Sequence, residues 1–407
     1  MPKIYILDVT NRDGVQTSRL GLAKLEKTII NHMLRDFGVF QSEFGFPFTQ
    51  HEIHYLKANL ELAKTDYLKP LRLGGWITAT AKDVELAYKL VPELEHINLS
   101  VSTSQIMTIG KFTKNGVQTI YRTPEEMINK SYAKANILSM MTEAVDAAKE
   151  KGAKSIGVNA EDASRTDDEY LIRFAKAARN HGADRIRYCD TLGADDPKTI
   201  YERINLLARE VGLPIELHCH NDLGMAEATS LMGALGAIDA GVDAYINTTV
   251  NSMGERTGNC DLVSVVLAAK YSSIMKNKYP DILDPNIKLN QADRIAKYAS
   301  HAFRVPTPIN QVGVGANAFA HESGIHADGA LKNRENYELY HFEELGRGEP
   351  ELVETGRLIT TGEYSGISGF MHVTGQYDIT FRDDNEARRI LELVRYANVH
   401  TQKPVTK

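Results

Sequence analysis

No stretch of this 407-residue chain approaches eighteen consecutive apolar residues, so no membrane-spanning helix is expected. Nor is there a surplus of positive charge. The 47 Lys and Arg are outnumbered by 53 Asp and Glu, a formal net charge of -6, and the basic residues are scattered, which disfavours nucleic acid and membrane as partners. Cysteine is scarce: Cys189, Cys219 and Cys260 are odd in number and far apart, against a disulfide framework and in keeping with a reducing compartment. No charged leader and apolar run precede the strand-like Lys3-Ile4-Tyr5-Ile6-Leu7, so a cytoplasmic location is expected. Low-complexity segments and internal repeats are missing too. What is left, 43% hydrophobic and 25% charged, is the composition of a globular chain long enough for a large core.

Over the first two thirds of the chain, apolar β-branched runs alternate with longer amphipathic segments, the pattern of repeated βα units on a parallel sheet. Eight strands are expected near Lys3–Val9, Val39–Phe46, Leu73–Ala79, His96–Val101, Ser155–Asn159, Arg185–Cys189, Ile215–His220 and Ala244–Thr249, with helices such as Ser131–Lys151 and Asp168–His181 between them. Eight units close a (β/α)8 TIM barrel; an open doubly wound sheet would carry a glycine-rich dinucleotide fingerprint, which follows none of these strands. Beyond residue 280, prolines bracket a helix near Gln291–Phe303, the glycine-rich Gln311–Asn317 follows, and the end is helical near Asn385–Tyr396. The expected division is a catalytic α/β barrel at 1–278 and two small, mainly helical C-terminal subdomains at 279–349 and 350–407.

Polar residues gather where such a barrel places chemistry, at the carboxyl ends of its strands. His218 and His220, one residue apart on a strand, project to one face while Cys219 points the other way. Alone, such a pair is more often two hydrogen-bonded core histidines. A carboxylate turns it into a divalent-metal site, and Asp13 follows the first strand. Other strands or their ends supply Arg12, Glu43, Ser102-Thr103-Ser104, Glu161-Asp162, Asp190-Thr191 and the loop Asn251–Asn259. Buried charge is costly unless paired or metal-bound, so stability alone would not call for this pattern.

Four motifs in chain order carry a family resemblance: Asp8-x-Thr-x-Arg12-Asp13-Gly14-x-Gln16, His218-x-His220-Asn-Asp-Leu-Gly, Gly254-Glu255-Arg256-x-Gly258-Asn259 and His321-x-x-Gly-Ile-His326-x-Asp328-Gly329. With them the chain resembles the Claisen-condensing acyl-CoA synthases, the isopropylmalate, citramalate, homocitrate and Re-type citrate synthases. The resemblance implies acetyl-CoA and a 2-oxo acid as substrates and one divalent metal; oxygen-rich chelation favours Mn2+ or Co2+ and leaves Zn2+ and Mg2+ as alternatives. The resemblance also implies Asp13, His218 and His220 as ligands, with Asn259 a weaker fourth. Arg12 would face the keto oxygen, and Gln16 and Thr191 would orient the region of the 1-carboxylate. Glu161 resembles a family acid at the barrel mouth, with Arg165 pairing to it or capping the next helix. His326 and its helper Tyr337 would come from the neighbouring subunit of a domain-swapped homodimer, and His321 would be a hydrogen-bonding brace.

The departures narrow the branch. Asn11 stands where the family has leucine, extra residues separate His220 from Asn259, and the chain is too short for the long carboxyl-terminal domain through which isopropylmalate and citramalate synthases sense amino acids, so feedback by leucine or isoleucine is not expected. Hydroxymethylglutaryl-CoA lyases share the metal site but carry a Gly-Cys-Pro loop, absent here, and lack Gly324-Ile325-His326. A degenerate, non-catalytic barrel would not keep the ligands, Arg12 and His326 together. Polar strand ends do not suit a branched apolar acid. Lysine-pathway homocitrate synthases place an arginine where this chain has Gly157, whereas Asn11–Gln16 and the tail Gly362-Glu363-Tyr364-Ser365-Gly366 look most like the Re-type citrate synthases. The expected acceptor is therefore oxaloacetate, giving citrate, with 2-oxoglutarate the runner-up.

Overall fold

The computed structural model describes residues 2–112, 130–348, 358–359 and 365–401. Eight parallel strands close a barrel in chain order: β1 (Ile4–Asp8), β2 (Gln41–Gly45), β3 (Arg72–Thr78), β4 (His96–Ser102), β5 (Ser155–Glu161), β6 (Arg185–Asp190), β7 (Ile215–Cys219) and β8 (Ala244–Thr248). Closure runs from Ile4↔Ala244 to Asp8↔Thr248. The expected strands are all present, with ends displaced by no more than two residues. β5 runs on to Glu161, which therefore sits on the strand itself.

Local chemistry sets the helices that cover this sheet. Asp167 accepts the Tyr170 N–H and opens helix Asp168–His181, and Gly182, at a left-handed φ of 102°, closes it. Asp196 caps helix Pro197–Val211 through the N–H groups of Lys198 and Thr199, with proline at the first helical position. Leu171 and Phe174 on one, and Ile200, Ile204 and Leu207 on the other, are buried together with the outward strand residues Ile156, Val158, Ile186, Tyr188 and Leu217.

The barrel interior is charged. On β6 the alternation Arg185-Ile186-Arg187-Tyr188 sends the apolar side chains outward and both guanidinium groups inward. Glu43 on β2 accepts from Arg187 Nη2 at 2.8 Å although β2 and β6 are not neighbours, so the pair crosses the interior. Glu43 also accepts from Arg12 Nε at 2.5 Å and from Asn98 Nδ2 at 2.8 Å. One layer below, Glu216 accepts from Arg185 Nε at 2.7 Å, Arg187 Nε at 2.6 Å and Asn247 Nδ2 at 2.7 Å. Counting Arg12 and Asp13, three guanidinium groups face three carboxylates, which keeps these buried charges paired. Gly74 and Gly157 leave room for the network: a Cβ would lie 2.3 Å from Gln41 Nε2 at the first and 2.0 Å from Asn98 Oδ1 at the second.

Backbone contacts divide the chain into two compact units, Met1–Lys288 with Tyr298–Val305, and Leu289–Lys297 with Pro306–Lys407. In the second unit, helices Gly324–Lys332 and Ile367–Gly375 approach so closely that a Cβ on Gly324 would lie 2.4 Å from the Gly366 Cα. A terminal helix, Asp384–Thr401, contains the expected Asn385–Tyr396. Gly362, Glu363 and Tyr364 of the quoted tail lie outside the described residues.

Candidate active site

The turn after β1 is gripped from both sides. Its backbone is pulled tight by the N–H groups of Arg12, Asp13 and Gly14, which all donate to the Val9 carbonyl. On the helix side, Asn11 Nδ2 donates to the Lys27 carbonyl and to Asn31 Oδ1, both at 2.9 Å; Asn31 in turn donates to Tyr55 and Asn59 and accepts from Ser42. On the barrel side Arg12 is bound to Glu43. Asn11, the departure from the family's leucine, is thus the first rung of a buried polar ladder that anchors the turn.

This turn presents Asp13 to the carboxyl end of β7. Asp13 Oδ2 lies 3.0 Å from Arg12 Nη1, 3.0 Å from His218 Nε2 and 3.9 Å from His220 Nε2, and the two imidazoles stand edge to face at 5.1 Å between centroids. One ligand atom from each of Asp13, His218 and His220 falls within 4.8 Å of the others, and all three residues are buried. Among the described residues, Asp13 Oδ1 and His218 Nδ1 are buried without a hydrogen-bond partner. One carboxylate, two imidazoles and such orphaned atoms fit a divalent cation.

The charges of the site reinforce one another. Burial alone would raise the Asp13 carboxyl, but Arg12, His218 and His220 hold it well below the usual carboxylate range. Glu43, also opposed by burial, is held at about 2 by Arg12 and Arg187. Burial, and then the neighbouring His218, bring His220 down to about 4, so its ring is neutral near pH 7 and free to ligate.

Asn259 reaches His220 from behind. Its Nδ2 lies 3.5 Å from His220 Nδ1, on the ring edge turned away from Asp13, while its Oδ1 occupies the space where a Cβ on Gly254 would lie 1.9 Å away. The glycine of the Gly254-Glu255-Arg256 motif is there for this close approach. Gly193, at a φ of 58°, similarly lets the loop after β6 lie against the His220 carbonyl, to which an added Cβ would be 2.6 Å away.

A cavity of about 290 Å³ joins these groups, with Arg12, Asp13, Gln16, Glu161, Thr191, His218 and His220 all on its wall. Thr191 Oγ1 accepts the Asp162 N–H at 2.9 Å, which leaves its own hydroxyl proton for the cavity. Glu161 is paired with Lys111 and accepts from Ser102. Arg165 neither pairs with Glu161 nor caps the following helix. Because Asp162 adopts a left-handed φ of 61° beside it, Arg165 binds the Asp162 carboxylate at 2.7 Å, and Asp167 is the cap. The hydroxyls of Ser102, Thr103 and Ser104 are engaged by Glu161, Thr166 and Asp162 within the β4 and β5 loops.

In the second unit the structure brings His326 and Tyr337 together, with rings stacked at 4.1 Å and His321 about 6 Å from each. Gly329 makes this stack possible, since a Cβ there would lie 2.5 Å from Tyr337 Cε2.

Among the cavity residues to which sequence reasoning assigned no role are three polar ones, Ser100, Asn159 and Arg187. Their signal was present as inward polar positions at period two: Ser100 after Asn98 on β4, Asn159 between Gly157 and Glu161 on β5, and Arg187 after Arg185 on β6.

Two family models match the chain, HMGL-like over residues 3–298 and homocitrate synthase post-HMGL domain-like over residues 314–401. The chain is 56% identical over 408 residues to Citrate (Re)-synthase of Dehalococcoides mccartyi, covering 100% of this chain and 94% of that one. It is 32% identical over 409 residues to Homocitrate synthase 1 of Nostoc sp., covering 100% and 95%. Among solved structures the HMG-CoA lyase of Bacillus subtilis superposes with a TM-score of 0.56 at 20% identity, over 76% of this chain and 97% of that one, a likeness of fold.

Proposed function

The chain belongs to the HMGL-like family, in the branch that carries the homocitrate synthase post-HMGL domain, and on that premise we propose that it condenses acetyl-CoA with oxaloacetate, giving citrate and free CoA by attack on the re face. It is an acyltransferase whose acyl group becomes an alkyl group on transfer. The observation that carries the acceptor is the end-to-end 56% identity with Citrate (Re)-synthase, against 32% for the homocitrate synthase.

In this reading Asp13, His218 and His220 hold one divalent cation, Mn2+ or Co2+, with Asn259 the weaker fourth ligand: its Oδ1 is buried without a hydrogen-bond partner among the described residues, and its Nδ2 lies 3.5 Å from His220 Nδ1. The cation supplies Lewis acidity and a template for the 2-oxo acid. Gln16 and Thr191 orient the 1-carboxylate. His326, stacked on Tyr337, takes a proton from the acetyl methyl group, and the electron pair left on that carbon forms the bond to the keto carbon. Arg12, fixed between Glu43 and Asp13, meets the negative charge growing on the keto oxygen. Glu161 is the acid at the mouth. Water then cleaves the thioester, leaving a carboxylate and the CoA thiol. His326 and Tyr337 act across a domain-swapped homodimer, a reading supported by the exposed Ile325 and Leu339 beside them, 76% and 71% accessible. The compartment proposed is the cytoplasm, a reading supported by three free, buried cysteines. Among the described residues no helix is long and apolar enough to cross a membrane.

The test is thiol release from acetyl-CoA with oxaloacetate, 2-oxoglutarate, ketoisovalerate and pyruvate under one metal, with labelled acetyl-CoA reporting the face. The highest kcat/KM is expected for oxaloacetate, with re-face citrate. A preference for 2-oxoglutarate transfers the chain to the homocitrate branch, and si-face citrate overturns the geometry.

A further inference from the structure

Asn159 is 1% exposed and lines the cavity, yet neither its Nδ2 nor its Oδ1 has a hydrogen-bond partner among the described residues. A buried amide with both ends unspent is rare and calls for an occupant. We propose that Asn159, with Ser100 beside it, recognises the distal carboxylate of the acceptor and so sets specificity for the dicarboxylic acid, an inference that rests on the reading of that acceptor as oxaloacetate.

Topology supports the placement. Asp13 and the two histidines come from the ends of β1 and β7, whereas Asn159 and Ser100 are paired partners on β5 and β4, across the eight-stranded ring from β1 and β8. The shared cavity therefore runs over the mouth from the cluster to these two residues. An acceptor whose keto acid end lies at the cluster directs its other end toward β4 and β5.

The neighbours exclude other candidates for that end. Arg187, paired with Asn159 across β5 and β6, would be the obvious carboxylate ligand, but its guanidinium is engaged by Glu43 and Glu216. Glu161, the next inward residue on β5, carries the wrong charge and is bound to Lys111. Gly157, the previous one, has no room for a side chain, because Asn98 Oδ1 fills the Cβ direction. The Ser100 hydroxyl, like the Asn159 amide, makes no hydrogen bond among the described residues. Two N–H donors and one O–H donor, backed by a buried arginine, suit an acceptor-only carboxylate.

The experiment compares oxaloacetate with 2-oxobutyrate, which has a methyl group in place of the distal carboxylate, in the intact enzyme and in Asn159→Ala and Asn159→Ser. Wild-type thiol release with oxaloacetate is established first; its absence overturns the proposed function and is read without any variant. Given that activity, Asn159→Ala should lower kcat/KM for oxaloacetate by about 10- to 100-fold, the range for a hydrogen bond to a charged group. The inhibition constant of 2-oxobutyrate should change by less than about threefold, because the bond removed is one that it never makes. Asn159→Ser, which keeps a donor, should fall between, and Asn159→Asp should be worse than alanine through repulsion. Equal losses for both acids mean that Asn159 holds only a water or the fold, and they overturn the proposal. So does an unchanged kcat/KM for oxaloacetate.

Discussion

The Glu43→Gln substitution tests whether the interior ion network supports both fold and chemistry. Glutamine keeps the shape but removes a charge that faces Arg12 at 2.5 Å and Arg187 at 2.8 Å, with no solvent access. It leaves three buried guanidinium groups against two carboxylates and points an amide donor at groups that can only donate. The carboxyl is held at about 2 instead of 4.5, which at 1.36 kcal/mol for each pKa unit corresponds to about 3 kcal/mol of stabilisation at neutral pH. Breaking a buried ion pair on one side costs about 3–5 kcal/mol, so the two measures agree. Denaturant unfolding at pH 7 should show a loss of that size. Because the folded value is depressed, the contribution is present in full above pH 4.5 and is lost as pH falls toward 2, so the difference between variant and wild type should shrink below pH 4.5. Arg12, released at Nε, should swing toward Asp13, and kcat should fall about 100-fold or more as its charge leaves the keto oxygen. A variant within 1 kcal/mol of wild type at pH 7 and with unaltered kcat would refute this account.

Three further outcomes follow from the structure. Burial holds the Asp8 carboxyl up at about 7, with hydrogen bonds from Thr10 and Thr248 opposing it only in part; a raised carboxyl stabilises most below its unfolded value near 3.8 and loses that contribution as pH rises through 7. Asp8→Asn should therefore compare more favourably with wild type at pH 8 than at pH 5 in thermal melts, and a constant difference would count against it. Gly157→Ala puts a methyl group 2.0 Å from Asn98 Oδ1 and should cost about 1–3 kcal/mol, so an arginine there should lower the melting temperature without creating a 2-oxoglutarate enzyme; a stable Gly157→Arg protein with that activity would contradict the packing argument. Mixing inactive Arg12→Ala with inactive His326→Ala subunits should restore part of the activity after exchange if His326 serves the partner's site, whereas verified mixed dimers that stay inactive would place the whole site in one chain.

The barrel was legible because its signals are local. Eight apolar runs separated by amphipathic helices each announce an element, and the structure adds the local stops, with Asp167 and Asp196 opening two of those helices and Gly182 closing one. Asp13 could be joined to His218 and His220 because strand ends converge in a closed barrel. What could not be read was which polar residue spends itself on which. Glu43 looked like one more strand-end acid, yet its partner Arg187 lies 144 residues on, and nothing in either strand names the other. Ser102, Thr103 and Ser104 read as a hydroxyl-rich mouth, but β5 extends to Glu161 and takes up the first of them while the loop beyond takes the others. Gly157 read as a missing arginine; its reason is Asn98, on the neighbouring strand. Asn11 looked anomalous until Asn31 supplied its partner.

A hydrocarbon interior would stabilise this barrel more cheaply, since burying charge demands desolvation that pairing only offsets. The network nevertheless does what packed leucines cannot. A guanidinium facing a reacting keto group must be fixed before the charge develops, or the free energy of turning it is added to the barrier. Arg12 is fixed by Glu43 at its Nε and by Asp13 at its Nη1, and Glu43 is fixed in turn by Arg187 and Asn98. Glu216 and Arg185 close the network beneath, each held by at least one partner on another strand. Rotating Arg12 would thus disturb paired charges down through the barrel, and that linkage converts the cost of a charged core into the rigidity of the Arg12 guanidinium. The same pairing leaves Asn159 and Ser100 as uncommitted donors at the far side of the mouth, which is why the second carboxylate of the proposed acceptor is assigned to them.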